Sequence, residues 1–297
     1  MSSERRVEVT SAGWIHRPKQ FCEVIGNINR KLPPEHQVRV EFYPGHWPVG
    51  LPMPGAISAE RIHAWEREYG PIPVERFHMP FHYNLSSQII YFSKSLRRWR
   101  RDWLGKGKAA AIALVTGNVF NHHVNRMAKE FDAGLNVHGY VAETAVERGD
   151  LNKLMAGSRY IYVENDSKRR GQGREGMIDT RDPQRAIDLV IEHDFGGMIW
   201  GVDHDFQFGI NPCETFDKFE DQFRKHLRVI HLSGSSGDHS LIYQSDKKFW
   251  EFVGYISKRL DCGVVFCLDF NPLKMRKLSS NAQHIYVRDL VLELGKH

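Results

Sequence analysis

Apolar, β-branched runs bounded by turn residues recur along the chain, and segments with helical spacing separate most of them. Short apolar runs of this kind predict buried strands. The predicted strands cover 7–13, 37–45, 75–82, 109–119, 160–166, 197–206, 227–234 and 263–272. Strands that alternate with helices predict parallel βα units, and a run such as "GVVFCL" is typical of a strand buried on both faces.

Helix signals fall between these strands. The helix-like stretch 57–70 opens with Ser58, which can cap the helix, and Glu60 lies in its first turn. The segment 182–194 opens with Asp-Pro, a cap followed by the residue favoured at the first helical position. The segment 245–260 is amphipathic. Eight such units without a repeat or linker predict an α/β fold, a (β/α)8 TIM barrel in a single domain over residues 1–297.

Ionisable residues stand at the ends of the predicted strands, where barrels of this type carry their chemistry. They are His78 and His82, Glu164, the series Asp203, His204 and Asp205, then His231 and Asp269. Each could be satisfied separately by a backbone amide or an arginine. Several carboxylates converging on one mouth would repel each other, however, and a divalent cation relieves that repulsion, with a histidine as nitrogen ligand. The strand ends therefore predict a metal site.

Composition excludes a membrane-spanning protein and indicates an ordinary globular one. Hydrophobic residues make up 41% of the chain and charged residues 26%. No apolar run approaches the roughly 18 residues that a membrane helix needs. The N-terminal "MSSERRVEVTS" lacks the apolar core of a signal peptide. We therefore expect a cytoplasmic protein without a membrane partner.

The net charge of +5 is concentrated in two segments, 94–108 and 167–176. Clusters of this kind can attract phosphates or nucleic acid. The candidate contacts are Arg97, Arg98, Arg100, Arg101, Arg169 and Arg170. A solvated helix face and a solvated loop are the alternative interpretation.

The strand-end residues resemble those of the xylose isomerase-like TIM-barrel superfamily, which includes sugar epimerases and the endonuclease IV group. The similar segments are "YVEND", "GVDHD", "VIHLS" and "CLDFNP". This resemblance implies that Glu164, Asp203, His231 and Asp269 form the shared metal site after strands five to eight. The superfamily more often has Glu at the last position, so Asp269 is one methylene shorter.

Two further segments extend the resemblance. "HMPFHYNLSS" is similar to the strand-three segment of the superfamily, in which a histidine matching His78 lines the pocket. "GDHSL" is similar to the loop after strand seven, and it makes Asp238 and His239 candidates for a further metal ligand or a substrate contact. His82 and His204 are additional candidates for the same roles.

The first functional hypothesis is an isomerase or epimerase that acts on a small sugar, keto-sugar or sugar phosphate. One divalent ion (Mn, Mg, Zn, Fe or Co) would polarise a carbonyl, and proton transfer would occur at the adjacent carbon. The resemblance implies that Glu164 and Asp269 exchange the proton. It also implies that a homo-oligomer can form, because members of the superfamily often associate.

The second hypothesis is an endonuclease IV-like AP endonuclease, a phosphodiesterase acting on DNA through a cluster of metal ions. That group has a further histidine at the end of strand four and another three residues after the strand-six Asp. Here the predicted strand four ends in "LVTGNV", and Phe206 stands three residues after Asp203. The sequence therefore favours the isomerase. A non-catalytic barrel with a binding role is a third hypothesis.

Overall fold

Eight parallel strands form a closed barrel in sequence order. The computed structural model describes residues 5–15, 17–43, 57–79, 123–147, 160–165, 183–261 and 263–297. The strands are β1 (Val7–Thr10), β2 (Arg39–Phe42), β3 (Val74–His78), β4 (Gly134–His138), β5 (Ile161–Glu164), β6 (Gly197–Gly201), β7 (Leu227–Leu232) and β8 (Val265–Leu268). The predicted α/β fold, a (β/α)8 TIM barrel, is confirmed.

Helices follow the strands, and the predicted cap at Ser58 is present, whereas the predicted cap at Asp182 lies outside the described residues. They are α1 (Pro18–Asn29), α2 (Ala59–Tyr69), α3 (Gly139–Glu147), α4 (Pro183–Glu192), α5 (Val202–Phe208), α6 (Pro212–His226), α7 (Lys247–Ser257), α8 (Pro272–Met275) and α9 (Ser280–Leu294). Residues 123–130 are also helical, and short 3-10 turns cover Ala12–Trp14 and Pro34–His36. The Ser58 hydroxyl caps α2 by accepting from the Arg61 amide, and the Asp246 carboxylate caps α7 by accepting from the Phe249 amide.

The main hydrophobic core lies between the strands and the surrounding helices. Outward side chains of the strands are fully buried there, and Trp200 of β6 is the largest of them. The Trp200 ring packs against Phe223 of α6 at 4.8 Å and against Phe252 of α7 at 5.6 Å between ring centroids. This layer fixes each strand against its helix, so the strand ends have defined positions at the barrel mouth.

The inside of the barrel divides into two halves of different chemistry. On the side of β6 to β8, Ile199, Val229, Val265 and Cys267 form a separate buried apolar cluster, with Tyr162 of β5 packed against it. The inward positions of β1 to β4 carry charged and polar side chains instead. These side chains are Glu8, Glu41, Arg76 and Asn136, and each is at most 1% exposed.

Two boundary predictions were wrong. The fourth barrel strand is Gly134–His138, not 109–119, and the latter range lies outside the described residues. Gly134–His138 does not read as a continuous apolar run, because its inward positions, Asn136 and His138, are polar. Strand six was predicted to run to 206, but β6 ends at Gly201. Asp203, His204 and Asp205 therefore lie in the first turn of α5.

Seven of the candidate residues lie in segments that the structure does not describe. They are His82, Arg97, Arg98, Arg100, Arg101, Arg169 and Arg170. Among the helices in the described part of the chain, none combines the length and apolarity needed to cross a bilayer.

Candidate metal centre

Glu164, at the end of β5, is the central carboxylate of the barrel mouth. Its Oε1 lies 3.2 Å from Nδ1 of His231, and its Oε2 lies 3.3 Å from Nε2 of His78. Oε2 also accepts a hydrogen bond of 2.8 Å from the side-chain amide of Asn136. Burial alone would raise the pKa of Glu164, but His231 and His138 outweigh burial and hold the pKa well below its ordinary value. Glu164 is therefore an ionised carboxylate in a buried setting.

His78 presents Nε2 to this carboxylate. The other ring nitrogen, Nδ1, lies 2.8 Å from the Met79 carbonyl oxygen, and a carbonyl oxygen only accepts, so Nδ1 carries the proton. His138, at the end of β4, is paired in register with Glu164, and its ring centroid lies 5.0 Å from that of His78. One ligand atom from each of His78, His138 and Glu164 lies within 4.8 Å of the others. We call these three residues the inner group.

His231 of β7 lies between two carboxylates. Its Nδ1 is 3.2 Å from Oε1 of Glu164, and its Nε2 is 3.3 Å from Oε2 of Glu41 on β2. Burial alone would lower the pKa of His231, but Glu164 and Glu41 hold it well above its ordinary value. Cys267 of β8 is paired in register with His231, and Glu41, His231 and Cys267 can each offer a ligand atom within 4.8 Å of the others.

A second set of ionisable residues lies at the ends of β6 to β8. Nδ1 of His239 is 3.3 Å from Oδ2 of Asp203 and 3.0 Å from Oδ2 of Asp269. Nε2 of His204 is 3.7 Å from Oδ1 of Asp203. The other carboxylate oxygen of Asp269 accepts a hydrogen bond of 2.7 Å from the Thr10 hydroxyl. We call Asp203, His204, His239 and Asp269 the outer group.

The loop that delivers His239 has an unusual backbone. Asp238 and His239 are consecutive non-glycine residues with φ of +53° and +47°. The left-handed region costs energy for such residues and persists only where surrounding contacts determine it. Here the His239 carbonyl accepts a hydrogen bond of 2.7 Å from the Asn271 amide, and Gly234 pairs with Ser240 across the loop. Burial alone would lower the pKa of His239, but Asp203 and Asp269 raise it to about 10.

Gly201 joins the two groups. A Cβ atom at this position would lie 2.8 Å from the His204 ring and 3.4 Å from Oε1 of Glu164. The absence of a side chain therefore lets the imidazole of the outer group approach the carboxylate of the inner group. The backbone amide of Gly201 also donates to the Asn165 side chain at 2.9 Å, which fixes the end of β6 against the end of β5.

The donor atoms fit a divalent cation. Metal–ligand bonds of about 2.0–2.2 Å put neighbouring ligands of one ion about 3.0–3.6 Å apart. The four N···O separations at Glu164 and His239 run from 3.0 to 3.3 Å. In the described part of the chain, the buried Nδ1 of His204 has no hydrogen-bond partner. Mixed imidazole and carboxylate donors suit Mn, Fe, Co and Zn, and the carboxylates also suit Mg.

The four ligands predicted from the sequence lie in two linked places. Glu164 contacts His231, whereas Asp203 and Asp269 converge on His239. His78 lies against Glu164, and His204 against Asp203, both among the predicted candidates. Asp238 lies beside Asn271: Oδ2 of Asp238 is 3.5 Å from Nδ2 of Asn271.

Sequence reasoning missed Glu41, Arg76, Asn136 and His138. It considered only the last residues of each predicted strand, whereas Glu41, Arg76 and Asn136 lie deeper in the barrel. The signal for Glu41 was present in "QVRVEF", where Val38, Val40 and Phe42 alternate with polar residues. His138 was missed because it ends β4, a strand that was not predicted.

Comparisons with solved structures agree with this architecture. A xylose isomerase domain-containing protein from Salmonella typhimurium LT2 matches 98% of this chain and 97% of its own, with 12% identity and a TM-score of 0.60. The protein in the structure of AsfvAP:AG matches over 100% of both chains with 13% identity and a TM-score of 0.52. A D-tagatose 3-epimerase-like protein matches 98% of each chain with 14% identity and a TM-score of 0.49.

At these identities the likeness is one of fold, and the resemblance to the xylose isomerase-like barrel is confirmed at that level. No protein-family model matches the sequence, and no curated protein matches it. Function therefore has to be argued from the site itself.

Proposed function

We propose that this chain is a divalent-metal-dependent isomerase or epimerase of a small sugar or keto-sugar, free or phosphorylated. The observation that carries the proposal is the convergence of carboxylates and imidazoles at the mouth of a closed barrel, at distances that suit neighbouring metal ligands. The xylose isomerase-like fold supports the same assignment as an analogy. The ion would be Mn, Mg, Zn, Fe or Co.

Glu164, Asp203, His231 and Asp269 would hold the ion. When bound, a divalent ion of this kind polarises a substrate carbonyl and orders the neighbouring oxygens. His78 and His138 flank Glu164 and would orient a substrate hydroxyl.

Glu164 and Asp269 would move the proton at the carbon next to the carbonyl. Each has one oxygen fixed by a hydrogen bond, from Asn136 to Glu164 and from Thr10 to Asp269. The second oxygen of each faces a histidine, so the two carboxylates are oriented before a substrate arrives. Fixed orientation of this kind is what acid–base catalysis requires, because the reacting groups must lie within hydrogen-bond reach.

The test is proton exchange in heavy water. The full chain is loaded with Mn²⁺ or Co²⁺ and incubated with a panel of ketopentoses and ketohexoses and their phosphates, and NMR follows deuterium incorporation next to the carbonyl. We expect exchange with at least one sugar, and its loss in E164Q and D269N. D217N is the matched control, because Asp217 is an exposed carboxylate paired with Arg259. Metal binding without exchange on any sugar would contradict the proposal and favour a non-catalytic barrel.

A second candidate function, phosphodiester hydrolysis on DNA, is favoured by His138. The sequence argument against it relied on a strand-four end without a histidine, but β4 ends in His138, next to His78 and Glu164. Phe206 still stands where that group has a histidine, although His204 supplies an imidazole beside Asp203.

Counting metal ions per chain separates the two candidates. One ion per chain, measured by mass spectrometry of the metal content, supports the isomerase, whereas two or three support the nuclease. Cleavage of a duplex that contains one abasic site, abolished in E164Q and retained in D217N, would establish the second candidate in place of the first.

A further inference from the structure

We infer that Glu41 is a positioning residue that selects the metal-binding nitrogen of His231. This inference rests on the proposed function, in which His231 is a ligand. Oε2 of Glu41 lies 3.3 Å from Nε2 of His231, while Nδ1 of the same ring faces Glu164 at 3.2 Å. Glu41 is 0% exposed and His231 is 2% exposed, so water does not compete for either contact.

The chemistry of the two partners sets the tautomer. An ionised carboxylate only accepts hydrogen bonds, so the ring nitrogen that faces Glu41 carries a proton. In the metal-free chain both ring nitrogens of His231 face carboxylates. A cation held by Glu164 would take the place of the proton on Nδ1, and the N–H that remains is the Nε2–H held by Glu41. Carboxylates that hold the distal N–H of a metal-binding histidine fix the ring orientation and raise its basicity.

Glu41 is itself held from two sides. Its Oε2 accepts from Nε of Arg76 at 3.0 Å, and its Oε1 accepts from the Asn136 amide at 2.9 Å. The same Asn136 nitrogen donates to Oε2 of Glu164 at 2.8 Å. One side-chain amide therefore spaces the two carboxylates that flank His231, and Arg76 prevents Glu41 from rotating away.

Glutamine at position 41 cannot reproduce these contacts. If the amide oxygen faces Asn136, the amide NH2 faces Arg76 and His231. The NH2 then lies against the Arg76 donor, and because it can only donate to His231, it favours a proton on Nδ1 of the imidazole. If the amide is reversed, its NH2 opposes the Asn136 donor. E41Q therefore keeps the size of the side chain, but it either loses the acceptor for Nε2–H of His231 or places its NH2 against the Asn136 donor.

Glu8 offers a matched control within the same buried network. It is 0% exposed and pairs with Nη2 of Arg76 and with Arg6, so E8Q also removes one buried carboxylate from Arg76. A purely structural role of Glu41 predicts the same behaviour for both variants. A positioning role predicts that only E41Q changes the metal site.

The experiment titrates Co²⁺ into metal-free wild-type, E41Q and E8Q chains and follows the visible Co²⁺ spectrum, with urea unfolding as a stability reference. We expect E41Q to bind Co²⁺ about 10–100-fold more weakly, and E8Q to bind as the wild type does. NMR of ¹⁵N-histidine-labelled protein loaded with diamagnetic Zn²⁺, with His231 assigned by H231Q, should show Nε2–H and a metal-bound Nδ1 in the wild type, and loss of that pattern in E41Q.

Two outcomes overturn the inference alone: unchanged Co²⁺ affinity in E41Q, or an equal loss in E41Q and E8Q. If E41Q does not fold, E41D takes its place, because it keeps the charge and withdraws the carboxylate. We expect E41D to retain Nε2–H and to bind Co²⁺ more weakly than the wild type, and wild-type affinity in E41D overturns the inference. A wild-type chain that binds no Co²⁺ overturns the proposed function, and the inference with it.

Discussion

The two halves of the barrel interior are filled by different kinds of side chain. Strands β6 to β8 fill their half with an apolar cluster, and strands β1 to β4 fill theirs with charged and polar side chains. The apolar half is stabilised by burial, whereas the polar half is stable only because Arg76 is paired with both Glu8 and Glu41. The polar half lies beneath the candidate metal centre, and we propose that it serves to position the ligands there.

The largest expected effect comes from breaking the charge balance of the polar half. R76M removes the only guanidinium that contacts both Glu8 and Glu41 in the described part of the chain. Removing one partner of a buried ion pair costs about 3–5 kcal/mol, because it leaves uncompensated charge. Urea unfolding of R76M should show that loss, and the triple variant R76M/E8Q/E41Q should recover part of it. A loss as small as that of a surface substitution would show that the halves do not differ as described.

A smaller effect is expected where the apolar half meets the site. G201A places a methyl group 2.8 Å from the His204 ring, so the ring must move. Overpacking of this kind costs about 1–3 kcal/mol. We expect a lower urea midpoint together with weaker Co²⁺ binding. The companion variant G201A/H204A removes the clashing ring and should recover the stability. A midpoint that stays low in the double variant would contradict a clash with His204.

Shortening one side chain of the apolar cluster should have a modest effect on stability and none on the site. I199V deletes one buried methyl group from a residue that is 0% exposed. Such a change costs about 0.5–1.5 kcal/mol. Urea unfolding should show this loss while Co²⁺ affinity remains at the wild-type value. Weaker Co²⁺ binding in I199V would mean that the apolar half also determines ligand geometry.

A further effect concerns pH in the metal-free protein. The pKa of His239 is raised to about 10, from an unfolded value of about 6.5. The stabilisation it provides is therefore complete below pH 6.5 and is lost as the pH rises through about 10. In the presence of EDTA, the thermal midpoint of the wild type should fall over this window more than that of H239Q. Parallel curves for the two proteins would refute the assigned ion pairs with Asp203 and Asp269.

Strands that are apolar on both faces, such as Val265–Leu268, were predicted from the sequence because they read as continuous apolar runs. The prediction failed for Gly134–His138, where Asn136 and His138 interrupt the run. The same failure concealed Glu41 and Arg76, since a polar residue inside a parallel strand looks like the solvent face of an antiparallel one. The candidate residues at strand ends were found from position alone. Their partners depend on which side chains meet across the barrel, and a linear pattern does not contain that information.

The single amide of Asn136 has a consequence for protein engineering. It donates to Glu41 and to Glu164 from within β4, beneath the residues that would contact a substrate. Changing the length or polarity of this side chain would alter the spacing of the two carboxylates while leaving the substrate-facing surface untouched. For the proposed metal-dependent isomerase, libraries that vary position 136 alone would therefore test preference for ions of different radius separately from preference for different sugars.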